Sequence, residues 1–220
     1  MAYSKYPKRK NYANRWYNSK PAAVIAKKGM SIAKMAASAY LMAKGLKKAS
    51  NIEYKAADVQ DLSNANYSGY VATLNNIPQG ATDSSRVGDS IKLQTVTIRG
   101  QLGRVTSDST CRVILFWDKQ NKVTTAGDIL QYVGSSYAPF SDKYYDKRFQ
   151  TKIFYDKVFT LDSNNPLRTF KIVKRIGLHT QFEAGSNTIN TGVLRLLFIS
   201  NVNANTPSLQ YNSHLTYTDD

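Results

Sequence analysis

After Asp89 the chain alternates apolar and polar residues with period two, and no stretch there shows the 3.6-residue period of a helix. Ile91-Lys92-Leu93 opens a strand whose register slips near Gln94-Thr95; beyond the slip Val96, Ile98, Gly100 and Leu102 share a face. Such a slip predicts a bulge. Thr110–Trp117 is apolar on both faces at its centre, which predicts an interior strand. Asp128–Val133 fits either a short strand or a helical turn. Further strands are predicted over 149–161, 168–178, 192–200 and 209–218, the last with Tyr211, Leu215 and Tyr217 on one face. Residues 49–89 read as an extended, loop-rich lead-in. Six to eight strands joined by long polar loops, with no Asn-Gly hairpin, predict a Greek-key sandwich or jelly roll rather than an up-and-down barrel.

The first fifty residues follow a different pattern. Over 22–48 a helical period places Val24, Ile25, Ile32, Met35, Met42 and Leu46 in one sector. Lys27, Lys34, Lys44 and Lys48 lie opposite, and Lys28 intrudes on the apolar side. Pro21 suits a first turn, whereas Gly29 and Gly45 each cost about 1 kcal/mol relative to Ala. This amphipathic helix can lie on nucleic acid, on a membrane interface or on its own body. Residues 1–20 have no sustained period and read as a disordered tail.

Charge separates the same two regions. No acid precedes Glu53, while Lys5, Lys8, Arg9, Lys10, Arg15, Lys20, Lys27, Lys28, Lys34, Lys44, Lys47 and Lys48 do. This leaves eighteen bases against fifteen acids in the remainder, or +3 of the total +15. Clustered like charges oppose compaction, but each one that meets a phosphate releases a counterion. The arm, residues 1–50, is therefore read as binding nucleic acid, with Tyr12, Trp16 and Tyr17 as candidates for base stacking. Residues 51–220 form the folded body. Pro7-Lys8-Arg9-Lys10 is a candidate for recognition by a nuclear import receptor.

Catalytic chemistry finds no support. The chain has no Gly-rich phosphate loop, nucleophile elbow or Cys-x-x-Cys. His179, His214 and the lone Cys111 do not make a metal site. The histidines read as ordinary strand residues and Cys111 as a buried hydrophobe. Asp142, Asp146, Asp156 and Asp162 read as solvated acids among loops and strand ends, with a Ca²⁺ contact between subunits as the alternative. No cofactor is expected, and the chain is not expected to be an enzyme. No apolar run reaches the roughly eighteen residues of a membrane span.

One stretch carries a family likeness. Gln79-Gly80, then Arg86-Val87-Gly88-Asp89-Ser90-Ile91, leads to Thr97-Ile98-Arg99-Gly100. It resembles the approach to the first core strand in capsid proteins of small circular single-stranded DNA viruses. Arg112–Gln120, Tyr155–Leu161, Leu196–Ser200 and the C-terminal Tyr217-Thr218-Asp219-Asp220 fit that pattern in order, so the likeness spans about 77–220. It implies an eight-stranded antiparallel jelly roll and an icosahedral (T=1) shell of about sixty copies. It also implies a basic arm facing a packaged single-stranded genome, in a virion assembled in the host nucleus. The arm departs from the family in using Lys where arginine dominates, which favours sequence-blind neutralisation. Small RNA viruses with jelly-roll capsids share the same logic. The rival from another class is a non-viral nucleic-acid-binding module with a basic tail, which predicts a basic stripe on the β-body itself.

Overall fold

The computed structural model divides the chain into two units, 1–52 and 53–220. It describes residues 53–219 and, in the first unit, Ser38, which is helical and exposed. The expected tail at 1–20 and the rest of the expected helix at 22–48 lie outside the described residues.

Nine strands make up the body: β1 Tyr54–Asn64, β2 Tyr70–Thr73, β3 Ser90–Gly103, β4 Ser109–Asp118, β5 Thr151–Leu161, β6 Leu167–Phe182, β7 Ile189–Thr191, β8 Val193–Ser200 and β9 Ser208–Asp219. They form two antiparallel sheets, ordered β1-β9-β3-β6-β7 and β2-β8-β4-β5. With the three-residue β7 set aside, eight strands divide between two four-stranded sheets, β1-β9-β3-β6 and β2-β8-β4-β5, in the double Greek key of a jelly roll. Apart from β4 with β5 and β6 with β7, the paired strands are not consecutive in sequence, which the long loops allow.

The lead-in of the sequence reading is corrected here, because residues 49–89 contain β1 and β2. Strand β1 pairs only with β9, and its inward positions are Lys55, Ala57, Val59, Asp61 and Ser63. Only two of these five are apolar, so the alternation is hidden. Lys55 is buried and bonded instead of apolar, donating to the Ser85 carbonyl (3.1 Å) and pairing with Asp219 at 2.9 Å. For the segment Asp128–Val133 the helical-turn alternative is met at its start. It holds the end of a 3-10 turn over Ala126–Asp128 and a single bridge, Leu130 to Lys143.

The expected bulge in β3 is present, with register shifts between Leu93 and Thr95 against both β6 and β9. The two-faced apolarity of β4 also has a cause. Cys111, Val113, Leu115 and Trp117 enter the core between the sheets. Ile114 and Phe116 enter a second core, where Val123, Ala126, Ile129, Leu130 and Ala138 cover the outer side of the four-stranded sheet. Strand β8 divides similarly, sending Leu194, Leu196 and Phe198 inward and Leu197 and Ile199 outward.

Gly192 turns β7 into β8 with φ of +76°. A Cβ there would strike the His179 carbonyl oxygen and lie 2.6 Å from Trp117 Cζ2. The Gly192 carbonyl accepts from Asn75 Nδ2 (3.0 Å) and Thr180 Oγ1 (2.8 Å), and Asn75 Oδ1 accepts the Leu194 N–H at 2.9 Å. Gly192→Ala combines a strained left-handed backbone with overpacking, at about 1–3 kcal/mol each. The variant is expected to lose about 3 kcal/mol or more of stability, read as a lower urea midpoint with an unchanged slope.

The motif that carries the family likeness has a structural role. Arg86 is fully buried, with its guanidinium 4.0 Å from the Phe182 ring centroid. It donates to the carbonyls of Gly88 and Ser186 and pairs with Asp89 at 3.2 Å. It therefore latches the loop before β3 to the loop after β6.

Candidate nucleic-acid interface

The solvent face of the five-stranded sheet presents an open trough. Alternation sends Val96, Ile98 and Leu102 of β3 into the core, so Thr97, Arg99 and Gln101 point outward. The register then aligns outward residues in rows across the sheet. Leu62, Gln210, Gln101 and Thr169 form one row; Gln60, Asn212, Arg99 and Lys171 form the next. The trough encloses about 930 Å³, lined mainly by Gln60, Arg99, Gln101, Lys171, Gln210 and Asn212.

Charge on this face is uneven. Arg99 lies directly opposite Lys171, and farther along the same strands Lys92 opposes His179 and Thr95 opposes Arg175. Like charges directly opposed on neighbouring strands are destabilising. Among the described residues, no carboxylate pairs with Lys92, Arg99, Lys171 or Arg175. Of the carboxylates at this side, Asp58 is held by His214 Nδ1 at 2.7 Å, and Asp61, which lines the trough, accepts from Ser63 Oγ and Tyr70 Oη. Uncompensated cations interleaved with amide and hydroxyl side chains suit an anionic, hydrogen-bonding polymer, because both phosphate oxygens and sugar hydroxyls find partners.

None of the fifteen residues that the sequence singles out for nucleic-acid contact lies within the described residues. Lys5, Lys8, Arg9, Lys10, Arg15, Lys20, Lys27, Lys28, Lys34, Lys44, Lys47, Lys48, Tyr12, Trp16 and Tyr17 all fall in the other unit, as does the import candidate Pro7-Lys8-Arg9-Lys10. The cations of this sheet face were missed because +3 spread over the body looks mild, and only the cross-strand register reveals that Lys92, Arg99, Lys171 and Arg175 share it. Period-two positions in β3 and β6 contained the signal, but the pairing partner did not.

The remaining candidates lie in the body. Among the described residues no group of three or more His, Cys, Asp or Glu could hold a metal ion. Cys111 is buried, and desolvation pushes its thiol up to about 12. His179 and His214 sit in β6 and β9. Asp142 and Asp146 are exposed in the β4–β5 connection, and Asp162 Oδ1 accepts the N–H groups of Asn164 and Asn165 at 2.9 and 2.7 Å. Asp156 departs from the reading as a solvated acid. It lies in β5, bonded to Arg112 Nε and Nη2 at 2.7 and 2.8 Å and to Lys143 Nζ at 2.9 Å.

No family model matches the chain, and no curated protein matches it. Among solved structures it is similar to a chain of Desmodium yellow mottle tymovirus, with 8% identity over 76% of this chain and 88% of that one, at a TM-score of 0.37. It is also similar to a chain of broad bean stain virus, with 11% identity over 76% and 86%, at a TM-score of 0.32. At these identities and scores the jelly-roll assignment stands on the strand order and not on likeness.

Proposed function

We propose that the chain is the subunit of a small icosahedral virus shell, with the jelly-roll body building the wall and the N-terminal arm condensing single-stranded nucleic acid. The observation that carries this reading is charge segregation, twelve bases and no acid before Glu53, joined to a body with +3. About sixty such arms would neutralise a genome on the order of one thousand nucleotides at one charge per phosphate. The trough adds a second, weaker polyanion surface on the body. DNA is the proposed cargo on the strength of the 77–220 resemblance, and RNA is the alternative. Nuclear import through Pro7-Lys8-Arg9-Lys10 belongs to the same reading, since a circular DNA genome is proposed to meet its shell in the nucleus.

The basic row of the trough is also what a tailed, non-viral nucleic-acid-binding module would display, so assembly is the deciding observable. Negative-stain electron microscopy of purified full-length protein, with ultraviolet absorbance before and after nuclease, tests the proposal. Closed uniform particles with nuclease-protected absorbance at 260 nm are expected, and the released cargo is expected to be degraded by deoxyribonuclease. Particles whose cargo yields only to ribonuclease would keep the shell and replace the genome. A dispersed monomer or dimer at every salt concentration would overturn the shell.

A further inference from the structure

The connection between β4 and β5 carries an exposed aromatic patch that neither the core nor the trough uses. Tyr132, Tyr137, Phe140, Tyr145 and Phe149 are between 62% and 74% exposed. The loop that bears them is firmly held. Arg112 donates to the carbonyls of Pro139 (3.2 Å) and Ser141 (2.6 Å), and the Tyr132 N–H donates to Ser141 Oγ at 2.8 Å, which ties the Tyr132 backbone to Ser141. The Tyr144 N–H donates to the Ile129 carbonyl at 2.8 Å. A fixed scaffold therefore presents rings to solvent at a cost in hydration that folding alone does not repay.

We infer that this patch is a self-association surface whose occupant is a second copy of the same chain. Area is the first argument. Each aromatic side chain buries about 150–250 Å² when covered, so five at two-thirds exposure offer on the order of 500–800 Å². That reaches the roughly 800 Å² per partner of a standard protein interface and exceeds most patches on monomers.

Charge is the second argument, and it separates a protein partner from nucleic acid. The loop's bases are largely spent within the chain. Lys143 pairs with Asp156 at 2.9 Å, Lys147 approaches Asp128 at 3.9 Å, and Asp142 and Asp146 add negative charge beside the rings. Arg148 lies 3.6 Å from the Tyr145 centroid and 4.6 Å from that of Phe149, so cations of the same chain already cover those ring faces. Aromatics beside an Arg match the residue types enriched at the core of a protein interface, and the acids suit its polar rim. A phosphate backbone would meet Asp142 and Asp146 with little uncompensated positive charge. Near-neutral mixed charge also lets one copy complement another. The loop covers the outer side of the four-stranded sheet, whereas the trough lies on the five-stranded sheet, so both can be occupied together.

The inference rests on the shell reading only for the size of the assembly. The test is the triple variant Tyr137→Ser, Phe140→Ser, Phe149→Ser in the full chain, followed by light scattering against concentration, with nucleic-acid retention measured in parallel. The expected result is at least a tenfold rise in the concentration needed for association, with retention and urea midpoint unchanged. If wild type and variant assemble alike, the patch inference fails and the shell stands. If assembly is unchanged but retention falls, the patch belongs to nucleic acid and the inference fails. A wild-type chain that stays monomeric overturns both readings. Should the variant fail to fold, photo-oxidative tyrosine cross-linking of wild-type protein decides. Dityrosine joining Tyr132, Tyr137 or Tyr145 of two copies is expected, and its absence from an associated sample overturns the inference.

Discussion

Removing residues 1–48 is expected to abolish nucleic-acid retention while leaving the β-body folded. Twelve bases contacting single-stranded nucleic acid give a slope of log affinity against log salt near −8 from the arm alone. The four cations on the outer face of the five-stranded sheet, Arg99 and Lys171 in the trough with Lys92 and Arg175 farther along the same strands, give about −3. Truncation should therefore lower affinity by several orders of magnitude at low salt and leave a residual slope near −3. Replacing these four sheet-face residues by Gln in the full chain should remove only that residual part. Filter binding across a salt series, with circular dichroism to verify the fold, checks both. Retention that survives truncation unchanged would show that the arm is not the principal site. Equal losses from the two variants would assign the sheet face a share that the arm's larger charge does not predict.

What the sequence made legible follows from where apolar pattern coincides with burial. Strands β3, β4, β8 and β9 run through the middle of their sheets, so alternation or continuous apolarity marks them directly. Strand β1 is an edge strand with Lys55, Asp61 and Ser63 at inward positions, satisfied by bonds rather than by burial of carbon. Lys55 reaches Asp219, and Asp61 accepts from Ser63 Oγ and Tyr70 Oη at 2.8 and 2.5 Å. Those partners are nine to more than a hundred residues away except for Ser63, and no local pattern announces them. Strand β2 is only four residues long. The charge of the arm was legible because it needs no partner to be seen. The trough was not, since Arg99 and Lys171 lie 72 positions apart and meet only through the pairing of β3 with β6. The aromatic patch falls between these cases. Its residues are close in sequence, but their exposure depends on Ala138, Leu130 and Val123 taking the buried side of the same loop.

Arg112→Met should be among the most destabilising single changes in the body. Arg112 is 8% exposed and sits on the outward side of β4, beneath the loop it anchors. One guanidinium serves Asp156 and the carbonyls of Pro139 and Ser141. Methionine fills much of the volume but leaves two carbonyls without their donor and Asp156 with Lys143 alone, and breaking a buried pair in this way costs about 3–5 kcal/mol. The expected readouts are a lower urea midpoint and faster tryptic cleavage at Lys143, Lys147 and Arg148 as the loop comes free. Asp156→Asn should cost less, because Arg112 keeps both carbonyls. The two variants also separate by pH. Burial works against the charge on Asp156, but the Arg112 and Lys143 hydrogen bonds outweigh it and hold the carboxyl below the usual carboxylate range. A depressed carboxyl contributes stability that is complete above its unfolded pKa and is lost as pH falls through the folded value. The stability gap between wild type and Asp156→Asn should therefore be widest near neutrality and close in acid below the ordinary carboxylate range. A gap that stays constant with pH would show that the Asp156 charge does not hold the loop, and that the two carbonyl bonds carry the anchor alone.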